Sequence, residues 1–227
     1  MAKSSTSRRQ GDQGPTRADV VSVSDAIRSC RLCIEAPDRT PLPHEPKPIF
    51  RLSSTARIAV CSQAPGVRAH TSGVPFLDPS GVRLRAWMAV SEAEFYDDTR
   101  VAIVPMGFCF PGLDAKGGDL PPRRECARTW RDRALSTLGD LDLLVLVGSY
   151  AQRWHLGGDA DATLTETVRK WRRFAFRNEA PRIFVLPHPS WRNNAWLKAN
   201  PWFEAETLPE LRAAVRSAIE QPAVART

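Results

Sequence analysis

Long apolar runs are missing from this sequence. The longest, Leu141 to Gly148, is broken by Asp142, whereas a membrane-spanning helix needs about 20 consecutive apolar residues. No apolar stretch backs the basic residues of the opening MAKSSTSRRQGDQG, so no secretion signal is expected, and a cytoplasmic location without a membrane partner is. Lysine is scarce. It supplies five of the 32 basic residues, so arginine carries the net charge of +7. Its planar guanidinium forks onto phosphate oxygens, and a basic domain gains nucleic-acid affinity by releasing counterions. A codon-driven arginine excess, merely solvated, explains the same composition. Cysteines are few and odd in number: Cys30, Cys33, Cys61, Cys109 and Cys126. That excludes a simple disulfide framework and points to reduced thiols, some of them metal ligands.

Several enzyme signatures are also missing. The chain has no Gly-x-Gly-x-x-Gly, no Gly-Lys-Ser/Thr phosphate loop, no His-Glu-x-x-His and no Gly-x-Ser-x-Gly. None of His44, His70, His155 and His188 has Glu two residues on. Nucleotide hydrolysis, zinc proteolysis, serine hydrolysis and zinc deamination therefore lack their chemistry.

What is present fits one domain within the 227 residues. Residues 1–22 are Ser/Arg/Gln/Gly-rich and read as a disordered basic tail, as do residues 221–227 at the other end; the domain spans 23–220. A short helix is expected from an N-cap at Ser24 to the Cys30–Cys33 turn, followed by a loop with five prolines from Pro37 to Pro48. Four apolar runs follow, at 57–61, 101–104, 143–147 and 182–186. Their hydrophobicity is continuous rather than alternating, the mark of strands buried on both faces. Helical segments fill the gaps at 80–88, 123–138, 149–156 and 164–170, and a last one covers 201–219. The expected fold is α/β: a three-layer α/β/α sandwich around a central, mainly parallel four-stranded sheet.

Open sheets of this kind bind ligands beyond the carboxyl ends of their strands. The first strand opens onto Ser62-Gln-Ala-Pro-Gly66 and the last onto His188-Pro-Ser190, with Gly73-Val-Pro-Phe76 and Ser80-Gly81 between them. Together these motifs resemble the uracil-DNA glycosylase superfamily over residues 24–215, closest to its iron–sulfur branch with a divergent first motif. Cys30 and Cys33, then Cys109 and Cys126, stand where that branch has its ligands. The resemblance implies a [4Fe–4S] cluster on those four thiolates. Read alone, the Cys-x-x-Cys suits zinc or redox chemistry as well, and zinc is the minor alternative. Cys61 reads as a small core hydrophobe.

Further roles follow from the resemblance. The reaction would be hydrolysis of an N-glycosidic bond in DNA carrying uracil or another damaged base, with the protein acting as a monomer. His188 and Gln63 would be catalytic, His188 by donating a hydrogen bond to the departing base. Ala64, Pro65, Gly66, Phe76 and Ser190 would bind the extruded base, Phe76 by stacking, although a lone Phe also suits a core. Ser80, Trp191, Arg192 and Asn193 would contact DNA, Trp191 as a wedge in the vacated stack. Trp191 suits equally well a cover over Trp196 and Trp202. Three positions depart from the family pattern. Ala64 replaces the water-orienting Asp of the most active branch. Gln63 replaces the usual Glu of the iron–sulfur branch. Pro105 stands where an Asn would read the uracil edge. Water would then depend on amide or backbone groups, or on His70. Other deaminated bases enter as substrates, and a non-catalytic damaged-DNA binder is the rival reading.

Overall fold

The computed structural model describes residues 14–220. Residues 1–13 and 221–227, read from sequence as tails, lie outside the described residues. Four strands form the sheet: β1 (Ile58–Cys61), β2 (Val101–Ile103), β3 (Leu143–Val147) and β4 (Arg182–Leu186). Their order is β2-β1-β3-β4 and every pairing is parallel, with Ala59 opposite both Ala102 and Leu144, and Val145 opposite Phe184. All strand residues except Arg182 are buried. A sheet buried on both faces must carry helices on both, which makes the three layers expected from the uninterrupted apolar runs.

Eleven α-helices are present among the described residues: α1 (Arg17–Arg28), α2 (Leu32–Glu35), α3 (Val67–Ser72), α4 (Pro79–Met88), α5 (Glu92–Phe95), α6 (Arg124–Leu135), α7 (Ser149–Leu156), α8 (Leu164–Arg169), α9 (Trp171–Ala175), α10 (Asn194–Ala199) and α11 (Leu208–Glu220). The first helix corrects the sequence reading. It begins at Arg17, inside the segment read as tail, because Thr16 and Asp19 form a reciprocal capping box. Val20, Ser24 and Ile27, spaced four and three apart, are its buried stripe, so Ser24 is an interior residue and not the N-cap. The closing segment is also not one regular helix, since Phe203–Thr207 forms a π-turn ahead of α11.

One buried charge fixes the geometry beneath the sheet's carboxyl edge. Arg131 of α6 is fully buried, and its guanidinium donates to the carbonyl of Val104, to that of Pro105 at 3.2 Å, and to Cys61 Sγ at 3.3 Å. It also donates to His155 Nε2 on α7. The ends of β1 and β2 are thereby strapped to both helices. No helix among the described residues is long and apolar enough to cross a membrane.

Candidate active site

Parallel pairing brings all four carboxyl ends to one edge, and a cleft of about 690 Å³ opens there. Beyond β1, Ser62 and Gln63 give their carbonyls to the amides of Met106 and Gly107, at 2.8 and 3.0 Å. The first-motif loop is therefore stapled to the loop after β2. Gly66 then caps α3 in an extended conformation. A Cβ added to Gly66 would stand 3.2 Å from Asp119 Oδ2, so a carboxylate faces this loop closely from across the cleft.

Helix α3 ends on Gly73, whose left-handed φ of +78° turns the chain into Val74-Pro75-Phe76. Phe76 itself has φ +58°, a conformation that costs a non-glycine residue on the order of 1–3 kcal/mol. Its surroundings hold it there. Tyr96 Oη donates to the Pro75 carbonyl at 2.8 Å, Arg85 reaches the Phe76 carbonyl at 3.4 Å, and Phe95 meets the ring edge-on at 5.9 Å. Gly81 is the other condition, because a Cβ there would lie 1.7 Å from the Phe76 carbonyl oxygen. The Ser80-Gly81 pair thus lets α4 begin directly beneath the turn that presents Phe76. Asp78 caps α4 by accepting from the Gly81 amide with Oδ1 at 2.9 Å, and Oδ2 has no hydrogen-bond partner among the described residues.

His188 follows β4. Asn193 donates to its carbonyl at 2.7 Å, and Gly148 at the end of β3 leaves room beside it, a Cβ there lying 3.7 Å from that of His188. No described group hydrogen-bonds the His188 ring. Burial holds its pKa below the usual histidine range, partly offset by the negative charge of Asp78. At neutral pH the ring is therefore neutral, with one N–H to donate. Ser190 caps the short turn Trp191–Asn193 by accepting from the Arg192 amide, and Arg83 ties the Ser190 carbonyl down at 3.2 Å. Trp191 is 72% exposed. Trp196 and Trp202 pack against each other and Phe203 without it, so the reading of Trp191 as their cover is corrected.

Gln63, Ala64, Pro65, Gly66, Phe76, Ser80, His188, Ser190, Trp191, Arg192 and Asn193 all line this one cleft, as does Pro105. His70 does not. It packs on His44 and Phe110, with ring centroids 4.3 and 5.6 Å away, because it lies on the far side of α3. Two lining carboxylates were not singled out from sequence: Asp78 and Asp119. Asp78 was hidden by its ordinary position just ahead of a helix, and Asp119 by a glycine-rich loop with no periodicity. Burial raises the Asp119 pKa; Arg192 opposes the shift, while the nearby charges of Asp78 and Asp114 add to it. That mutual influence places two acids and one arginine around the same opening.

The four motif cysteines lie apart from the cleft lining. Cys30 follows α1, Cys33 is in α2, Cys109 is in the loop after β2 and Cys126 is in the first turn of α6. Burial pushes Cys33 up to about 11 and Cys109 up to about 12, and raises Cys126 as well; each also senses other members of the set, Cys30 included. N–H groups point at the sulfurs, among them Trp130 Nε1 to Cys30 at 3.2 Å and the Phe108 amide to Cys126 at 3.3 Å, and the Lys47 backbone N–H partly offsets the effect of burial on Cys109. Among the described residues no three His, Cys, Asp or Glu side chains are grouped tightly enough for one metal ion. Four mutually sensing thiols with N–H donors to sulfur fit the donor set of a larger cluster. Cys61 is fully buried in β1, as a core residue, while also accepting from Arg131.

One solved structure, described as wild-type Pedobacter heparinus SMUG2, is similar at 13% identity over 72% of this chain and 73% of that one. Its TM-score of 0.32 is too low to carry any weight. The sequence model of the uracil DNA glycosylase superfamily matches residues 50–212, the span that holds all four strands and every lining residue of the cleft but Ile49. The chain belongs to the uracil-DNA glycosylase superfamily.

Proposed function

We propose that this protein hydrolyses the N-glycosidic bond of uracil or a related deaminated base in DNA, leaving an abasic site. The observation that carries the reading is His188: a half-buried, neutral imidazole with no hydrogen-bond partner among the described residues, in a cleft that also presents Phe76 in a strained conformation. The extruded base stacks on Phe76 while the Gln63–Gly66 loop encloses its edge. As the bond from C1′ to the base nitrogen breaks, the electron pair stays on the base and positive charge grows on the sugar. His188 donates its N–H to the base oxygen on which that negative charge collects. Water then adds to C1′, giving up a proton. Asp78 Oδ2, without a hydrogen-bond partner among the described residues, accepts the hydrogen bond that orients this water and takes the proton. A carboxylate from the start of α4 thus replaces the one that Gln63 and Ala64 lack.

Cys30, Cys33, Cys109 and Cys126 would hold a [4Fe–4S] cluster, which when bound cross-links α1, α2, α6 and the loop after β2. The reading is tested by incubating the protein with labelled oligonucleotides carrying uracil, hypoxanthine or xanthine, followed by alkaline cleavage. Strand scission at uracil or another deaminated base is the expected result. Binding without scission on every lesion would leave a damage-binding protein in its place.

A further inference from the structure

A second cavity, of about 730 Å³, opens on the other side of the loop after β2. Pro105 lines the catalytic cleft and its neighbour Met106 lines this second cavity, so a single turn of backbone separates them. The second cavity's wall includes α7, which starts directly after β3 and Gly148, the glycine beside His188. Tyr150 and Trp154, four residues apart, share one face of α7. They are 37% and 40% exposed, and neither ring packs on another aromatic among the described residues.

Arginines line the same cavity. Arg128 is engaged with Asp38 at 2.5 Å, and Arg123 with the Thr40 and Pro41 carbonyls and, at 3.8 Å, with Glu125. Arg39, Arg124 and Arg153 are exposed and have no ion-pair partner among the described residues. Open aromatic faces between unpaired guanidinium groups are the chemistry of single-stranded nucleic-acid binding: bases stack on the rings and phosphates meet the charges. An acidic peptide would match the charge and leave the rings unused.

We propose that this groove binds unpaired nucleotides of the substrate strand next to the lesion, with bases on Tyr150 and Trp154 and phosphates on Arg39, Arg124 and Arg153. The inference rests on DNA being the substrate. A strand leaving the cleft crosses the Pro105–Met106 ridge and enters the groove, so lesions in single-stranded or frayed DNA are favoured over those in closed duplex.

The test uses the full chain, fluorescence anisotropy, and two lesion-free probes: a labelled oligothymidylate and a blunt duplex of equal length. Base–aromatic stacking is worth about 1–3 kcal/mol per base, so losing each ring should weaken single-strand binding by roughly 5- to 150-fold. Tyr150→Ala combined with Trp154→Ala should show that loss while duplex binding holds. Trp154→Phe, which keeps a ring, should retain most of the affinity. Arg153→Gln should lower the salt slope on the single strand by about 0.7. Unchanged oligothymidylate affinity in the double variant, or an equal loss on duplex, overturns the proposal. So does tighter binding of polyglutamate than of oligothymidylate. Excision assays run in parallel separate the two claims. Wild-type protein that binds single strands through these rings yet excises no base refutes the glycosylase reading and keeps the groove, whereas intact excision with an inert groove does the reverse.

Discussion

Replacing His188 with alanine should slow base excision far more than it weakens DNA binding. In the ground state a base carbonyl is a modest acceptor, and water or a backbone amide serves it nearly as well. Once the glycosidic bond stretches, the base carries close to a full negative charge, and an N–H already placed in the cleft becomes far more valuable. His188 is suited to that task because desolvation favours its neutral ring and no group among the described residues competes for its N–H. Removing a preorganised donor of this kind costs about 10²–10³ in rate, or roughly 3–4 kcal/mol at about 1.4 kcal/mol per tenfold. The assay is single-turnover cleavage with enzyme in excess, set beside the dissociation constant for the same lesion DNA. A fall of two to three decades in rate with binding within a few-fold is expected. Because burial lowers the His188 pKa, any change in the wild-type rate from its protonation should set in only below the ordinary histidine range, which a pH–rate profile checks. Equal rates for variant and wild type, or a loss confined to binding, would refute the assigned role.

Other outcomes follow from the same geometry. Asp78→Asn keeps an N-cap that accepts from the Gly81 amide, so stability should change little while the excision rate drops by about 10²–10⁴; thermal unfolding and single-turnover kinetics check the two halves. Gly81→Ala drives a methyl group to 1.7 Å from the Phe76 carbonyl, so α4 and the Phe76 turn must part, costing about 1–3 kcal/mol in denaturant titrations and most of the activity. Burial and the adjacent Arg131 charge hold His155 down to about 3, below its unfolded value. The native state then binds fewer protons than the unfolded state, so stability is full above about pH 6.5 and falls progressively as pH drops toward 3. His155→Gln keeps an acceptor for Arg131 without titrating and should flatten that slope in urea melts at pH 7 and pH 5. Protein purified without oxygen should carry close to four irons and absorb visible light, and Cys109→Ser should lower both; a colourless, iron-free wild type that is fully folded sinks the cluster assignment.

Much of the architecture was legible in the chain itself. Strands buried on both faces must be apolar throughout, so the runs at 143–147 and 182–186 matched β3 and β4 to the residue, while those at 57–61 and 101–104 each ran one residue beyond β1 and β2. Motif spacing then placed Gln63, Phe76 and His188 beyond strand ends, where parallel pairing gathers them in one cleft. The start of α1 was missed because its signal is a local hydrogen-bond exchange between Thr16 and Asp19, set in a segment whose composition reads as tail. Short helices such as α3 and α10 hold too few turns to show a period.

The sequence by itself determined the layers, the sheet edge that carries the chemistry and the side chains gathered there, because these depend on hydrophobic pattern and on residues close together in the chain. Tertiary structure alone decided the rest. Asp119 faces Gly66 across 53 positions of chain, Arg131 of α6 straps the ends of β1 and β2, and His70 turns away from the cleft. Trp191 stands in solvent while Trp196 and Trp202 pack. Such contacts are set by how α6, α7 and the loop after β2 dock on the sheet, and a charge or ring carries no local pattern that states what it will face.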